Sequence, residues 1–219
     1  MLSVDVVNIW TYVSTMTRSE PRPYHHGNLR QALLNEADRM IRSSGVEGLT
    51  LRRLGARVGV SRSALYRHFA DKRALLIAVA TDGFRSLREK LVEAWERGGR
   101  NPEAFRAMGA AYVEFAVRNP SHYRVMFGGF LDPEARNPEL VSEGGGAFQA
   151  LVDAIATLQR DGYARLDNPV LLARHAWAVV HGVAMFGIDA QLREPGALEE
   201  LAEFSIEQLR AGLARTRKE

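Results

Sequence analysis

Apolar residues recur at helical spacing from residue 28 almost to the end of the chain, and no stretch alternates convincingly at the period of two that marks a strand. Leu29, Leu33, Leu34, Ala37, Met40 and Ile41 follow the rhythm of one buried helical face, which predicts a first helix over 28–44, stopped by Gly45. Thr50 is placed to cap a second helix containing Leu51, Leu54, Ala56 and Val58, which Gly59 ends. Ser61 caps a third over 62–69. Two short helices joined by Gly59-Val60 have the spacing of a helix-turn-helix, in which the glycine lets the pair meet at a steep angle.

Asp71 opens a long fourth helix from 72 to about 97, and the run Gly98-Gly99-Arg100-Asn101-Pro102 breaks the chain. Asn101-Pro102 then starts a fifth helix to about 118, because proline suits the first helical position behind a capping asparagine. A sixth covers 121–127. The seventh begins either at Glu139 or only after Gly144-Gly145-Gly146 and ends near Asp161-Gly162. The eighth starts at Asn168-Pro169 and stops before Pro195-Gly196, and the ninth runs over 197–215. The predicted fold class is all-α, with about nine helices and no internal repeat.

Composition sharpens this picture in three ways. The chain has 219 residues, 46% of them hydrophobic, enough for a small module attached to a larger domain. It has no cysteine, which excludes disulfides, thiolate zinc sites and cysteine nucleophiles and fits a reducing cytoplasm, the expected location. The net charge is only +3, yet residues 18–73 carry 12 Lys+Arg against 5 Asp+Glu, leaving the remainder acidic. A basic N-terminal third either binds a polyanion or is a solvated arginine-rich surface.

The longest charge-free apolar stretch, 176–188, is shorter than the roughly 18 residues of a membrane span and reads as a buried helix. Residues 1–13 lack the basic start and cleavage site of a signal peptide. Residues 1–23 are expected to be a disordered arm, with Met16 an alternative start to Met1. His25 and His26, lacking a third ligand nearby, read as solvated or phosphate-neighbouring groups rather than a metal site.

The segment GLTLRRLGARVGVSRSALYRHFADKRALL, residues 48–76, resembles the DNA-binding module of the TetR family of bacterial repressors, and the nine-helix layout extends the likeness to the whole chain. Trp177, His181 and Gly182 further resemble a subgroup with a Trp, His, Gly pattern in its eighth helix. The resemblance implies a DNA-binding domain over 24–71, an effector-binding and dimerisation domain over 72–215, and no enzymatic activity, cofactor or metal. It also implies a homodimer formed by the eighth and ninth helices, with Ala178, Gly182, Phe186 and Phe204 at the interface, bound to a palindromic double-stranded operator.

Within such a module the third helix presents its N-terminus to the major groove, so Arg62 and Ser63 are the candidates for reading base edges. Arg62 either forks onto guanine or adds one more phosphate contact. By the resemblance Tyr66 and Lys72 contact phosphates; Thr50, Ser61, Arg52, Arg53, Arg67 and His68 are further candidates, although His68 also suits a helix C-terminus through the dipole.

The second domain holds an aromatic and methionine inventory suited to a core or an apolar pocket. Phe105, Met108, Tyr112, Met126, Phe127, Phe148, Trp177, His181 and Met185 are the candidates for lining a site for a small apolar or aromatic effector. His181 is either a satisfied core histidine or a polar anchor for that ligand. The alternative is a helical enzyme fused to a DNA-targeting module. Against it, His175 and His181 are six residues apart, on different helix faces, and no nucleophile-elbow, phosphate-loop or dinucleotide motif is found.

Overall fold

A computed structural model describes residues 29–131, 137–192 and 194–214. The expectations for the N-terminal arm, His25 and His26 lie outside those residues. The described chain forms nine helices: α1 (Leu29–Ser44), α2 (Leu51–Val58), α3 (Arg62–His68), α4 (Lys72–Arg97), α5 (Pro102–Arg118), α6 (Pro120–Phe127), α7 (Pro138–Arg160), α8 (Pro169–Ile188) and α9 (Ala197–Leu213).

Side-chain caps set most of the starts. Thr50, Ser61 and Asp71 each accept a hydrogen bond from the backbone N–H three residues on, and Asn101 and Asn168 each accept two. Each such cap is worth about 1 kcal/mol. Gly59 takes φ 75°, the left-handed conformation the turn between α2 and α3 needs.

The helices enclose two cores that meet on α4. Leu33, Leu34 and Met40 of α1 pack with Leu54, Leu65 and Phe69, and Leu75 and Val79 of α4 close the far side. Each of these is at most 2% exposed, so each contributes roughly 1.5–3 kcal/mol relative to a solvated side chain. The other half of α4, through Leu87, Leu91 and Trp95, enters a larger core with α5, α7, α8 and α9.

α7 runs unbroken through Gly144, Gly145 and Gly146, the longer of the two starts the sequence allowed. Mid-helix glycine costs about 1 kcal/mol relative to alanine, and tertiary contacts offset it. Arg85 of α4 reaches Glu143 at 3.1 Å and Glu139 at 2.8 Å, and Arg88 reaches Glu143 at 3.1 Å. α9 stops two residues short of the predicted end because Ala214 leaves the helix to pair with Ala164, with Arg165 N–H donating to the Leu213 carbonyl at 2.9 Å.

α8 is long and apolar enough to cross a membrane by length and composition, with a mean hydropathy of 1.3 over its best window, despite the shortness of its charge-free run. Arg174 interrupts that run without lowering the average far. In this fold Leu172, Ala176, Val180 and Val183 lie in the core against α5, α7 and α9.

Candidate nucleic-acid interface and ligand pocket

α3 and the start of α2 each present basic side chains to solvent. Arg52, Arg53, Arg62, Ser63, Tyr66, Arg67 and His68 are all exposed, while Leu65, on the opposite face of α3, and Phe69, just after its end, are buried and hold its angle. The Arg62 guanidinium stacks 5.4 Å from the centre of the Tyr66 ring, which steadies a long side chain at the N-terminal end of the helix. Ser61 combines its capping role with a 3.1 Å contact to the Ser63 hydroxyl. Among the described residues, the ion pairs within this domain are Arg39–Glu36, Arg57–Glu36 and Arg42–Asp38, so none consumes Arg52, Arg62 or Arg67. Glu36 is buried on α1, and its ion pair with Arg57 ties α2 to α1.

Besides Ser61 and Ser63, three further candidates already have local partners. Thr50 caps α2, Arg53 donates to the Gly48 carbonyl at 2.7 Å, and Lys72 Nζ donates to the Val46 carbonyl at 2.6 Å. Lys72 therefore ties the start of α4 to the loop before α2, a structural duty with no signal in the sequence.

Periodicity also does not reveal His122, on α6. Its Nδ1 lies 3.0 Å from Asp38 of α1 and its Nε2 3.8 Å from Asp82 of α4. The closer contact is poorly aligned for a directed hydrogen bond, so charge attraction holds it. Burial alone depresses an imidazolium, but the two carboxylates outweigh it and push the pKa of His122 up to about 9. Asp38 is held below its ordinary range: burial raises it, and His122 and Arg42 more than compensate. A cation on α6 is thus clamped between two anions, one of them on the helix that supports the helix-turn-helix. α6 packs closely on α4 at Gly83, where a Cβ would lie 2.6 Å from the Met126 sulfur and 3.3 Å from the His122 Cβ.

On its other face α6 enters an aromatic cluster. The Tyr112 hydroxyl lies 2.9 Å from that of Tyr123, which lies 2.5 Å from His181 Nδ1. Burial lowers the His181 pKa, so the ring is neutral near pH 7. With Tyr112 donating to Tyr123 and Tyr123 to Nδ1, the imidazole proton is assigned to Nε2. Both tyrosine hydroxyls are pushed upward by burial and stay protonated.

Trp177 packs against Tyr112, Phe127 and Phe148, and Phe84 against Phe127, in edge-to-face arrangements. Beside them opens a cavity of about 340 Å³ lined by Phe84, Phe127, Gly144, Phe148, Arg174, Trp177 and Ala178. Of the pocket candidates, Phe127, Phe148 and Trp177 line this space. Phe105, Met108 and Tyr112 are buried in the core, next to a gap of about 20 Å³, whereas Met126, His181 and Met185 are half-buried around the cluster. Phe84 and Arg174 were not among the candidates, since each sits in an ordinary stretch of its own helix.

Ala178 and Phe186 on α8 and Phe204 on α9 face solvent, Phe204 with 61% of its surface exposed, and Gly182 is half-buried with open space where a Cβ would stand. They form an unpartnered, largely apolar face.

A model of the bacterial regulatory proteins of the tetR family matches residues 33–79, and one of the tetracyclin repressor-like C-terminal domain matches residues 105–209. Tetracycline repressor protein class C of Escherichia coli is 51% identical over 51 residues, 23% of each chain. The HTH-type transcriptional repressor AcnR of Corynebacterium diphtheriae is 41% identical over 64 residues, 29% of this chain and 34% of its own. The chain thus matches about a quarter to a third of the length of these curated relatives. Among solved structures, a protein with unknown function from Rhodococcus sp. RHA1 superposes with a TM-score of 0.79 at 31% identity, over 89% of this chain and 100% of its own. The TetR family transcriptional regulator PfmR from Thermus thermophilus gives 0.66 at 23% identity, over 84% and 99%, a likeness of fold alone. Matched at both ends by family models and along most of its length by the fold, this chain belongs to the TetR family of transcriptional regulators.

Proposed function

We propose that this regulator is a repressor that binds a palindromic DNA operator as a homodimer in the cytoplasm and leaves it when a small apolar or aromatic effector occupies the aromatic pocket. In this reading Arg62 and Ser63 read bases. Thr50, Ser61, Arg52, Arg53, Tyr66, Arg67 and His68 meet phosphates, with Lys72 contributing its remaining N–H groups. The exposed apolar face of α8 and α9 meets its twin across a two-fold axis, which makes the operator palindromic. The chain divides near residue 72 into reading and sensing parts that share α4, and Trp177, His181 and Gly182 support assigning the sensing part to the Trp, His, Gly subgroup.

The observation that carries the reading is the double duty of α6. One of its turns presents His122 to Asp38 of α1, and the neighbouring positions Tyr123 and Phe127 belong to the aromatic cluster. A ligand changes DNA affinity only by binding the two states of the protein unequally. A ligand that displaces Phe127 moves the helix whose cation holds α1, and so shifts the reading head.

The test is selection of bound duplexes from a random library by the purified chain at physiological salt, followed by mobility shift on the winner and light scattering of the complex. A palindrome bound by two chains is expected. Binding that is salt-sensitive but indifferent to sequence, or a single chain per duplex, overturns the proposal.

A further inference from the structure

We infer that the aromatic pocket takes an aromatic carboxylate, its ring seated among Phe84, Phe127, Phe148 and Trp177 and its anionic head on Arg174. The inference rests on the effector role proposed for this pocket and goes beyond it in assigning the charge of the ligand.

The walls come from four helices, α4, α6, α7 and α8, and are aromatic rather than aliphatic. Their mutual edge-to-face geometry, with Phe84 and Phe127 inclined at 77° and Phe148 and Trp177 at 65°, offers ring edges and faces to a further flat ring. The space, about 340 Å³ and open to solvent on one side, has room to seat one fused ring system against these walls.

Arg174 is the single charged side chain in the lining, and among the described residues no carboxylate lies within ion-pair distance of it. Its surroundings make that significant. The nearby carboxylate Glu143 is shared by Arg85 and Arg88, and Glu139 is taken by Arg85, so among the described residues these two acids of α7 are already paired with α4. A guanidinium at the mouth of an apolar cavity attracts a carboxylate and can bind it through two parallel hydrogen bonds.

A larger groove of about 650 Å³ between α4, α5 and α9 is a weaker candidate for the same ligand. It touches neither α6 nor α1, and its arginines Arg97, Arg106 and Arg118 are committed to Glu93, Glu103 and Glu114. An occupant there has no route to the His122 clamp.

The experiment is calorimetric titration of the full chain and of Arg174→Gln with 2-naphthoate and 2-naphthamide, probes of one shape and different charge. Wild type should bind the naphthoate at least tenfold more tightly, ~1.4 kcal/mol, and Arg174→Gln should lose that preference through weaker naphthoate binding alone. Arg174 is exposed, so the variant should fold and melt as wild type does. Equal affinities in wild type, a preference that survives in Arg174→Gln, or no binding of either probe overturns the assignment. Mobility shift on the selected operator separates the two readings. Naphthoate that binds through Arg174 but leaves the operator complex intact sinks the effector role and keeps the anion site; a neutral aromatic that releases the operator where naphthoate does not bind does the reverse.

Discussion

His122 and Asp38, 84 positions apart in sequence, stand 3.0 Å apart in the fold and join the helix that walls the aromatic pocket to the helix that supports the helix-turn-helix. Asp82 faces the imidazole from α4, with Arg42 beside Asp38 and Arg85 and Arg30 near Asp82, so the histidine is the cation at the centre of a mixed cluster.

The cluster makes stability depend on pH with a definite sign. His122 has a folded-state pKa of about 9, above its ordinary 6.5, so its contribution is complete below about pH 6.5 and is lost as pH rises through 9. Asp38 and Asp82 are depressed, so their contributions are present above the ordinary carboxylate range and fade only in acid. The size of the histidine effect is on the order of 3 kcal/mol. Melting wild type and His122→Gln between pH 6 and 9.5 should show a stability gap that closes toward the alkaline end. A gap independent of pH would falsify the clamp.

Arg62→Ala should weaken binding to the preferred operator by roughly 1–3 kcal/mol and relax preference at one position in each half-site. Arg67→Ala should weaken binding to all duplexes alike and flatten the salt dependence. Competition mobility shifts against single-position operator variants separate the two, and equal loss across every variant for Arg62→Ala would mean that it touches only phosphate.

Lys72→Ala should lower thermal stability as well as DNA affinity, because Nζ is bonded to the Val46 carbonyl. Removal of a charged donor from such a bond costs about 1.5–3 kcal/mol. A variant with wild-type melting and weak binding would assign Lys72 to the phosphate backbone alone.

Two glycine substitutions should move stability in opposite directions. Gly145→Ala places a Cβ in open space within α7 and should stabilise by up to ~1 kcal/mol. Gly59→Ala also meets no neighbouring atom, yet its φ of 75° should cost roughly 1–2 kcal/mol. Chemical denaturation reads both, and an unchanged midpoint for Gly59→Ala would show that the turn relaxes.

Phe204→Arg should leave each subunit folded, since the side chain is mostly exposed, while dissociating the proposed dimer and abolishing operator binding. Light scattering and circular dichroism on the same sample decide this. A dimer that survives the substitution would move the interface off α9.

Local chemistry was legible in the sequence because its partners are close neighbours along the chain. The caps at Ser61, Asp71, Asn101 and Asn168 serve backbone groups two or three residues away, and residue type alone announces them. The motif in residues 48–76 was legible for a similar reason, since the turn at Gly59 and the apolar pair Leu65 and Phe69 are local requirements of one short unit. Residues joined by folding were not: Phe84 and Arg174 lie 90 positions apart and share a cavity only because α4 and α8 both pack on α7.

By itself, then, the sequence determined the all-helical class, most helix ends and the exposed basic face of α3, all of which follow from propensity, capping and periodicity within a few turns. The tertiary structure alone decided that α7 continues through three glycines, that Lys72 is tied to Val46, that His122 is clamped between Asp38 and Asp82, and that the aromatic pocket is lined by a cation, Arg174, that pairs with no carboxylate among the described residues. The physical reason is that charge pairing and cavity shape depend on distances in space between groups far apart in the chain, which no local pattern encodes.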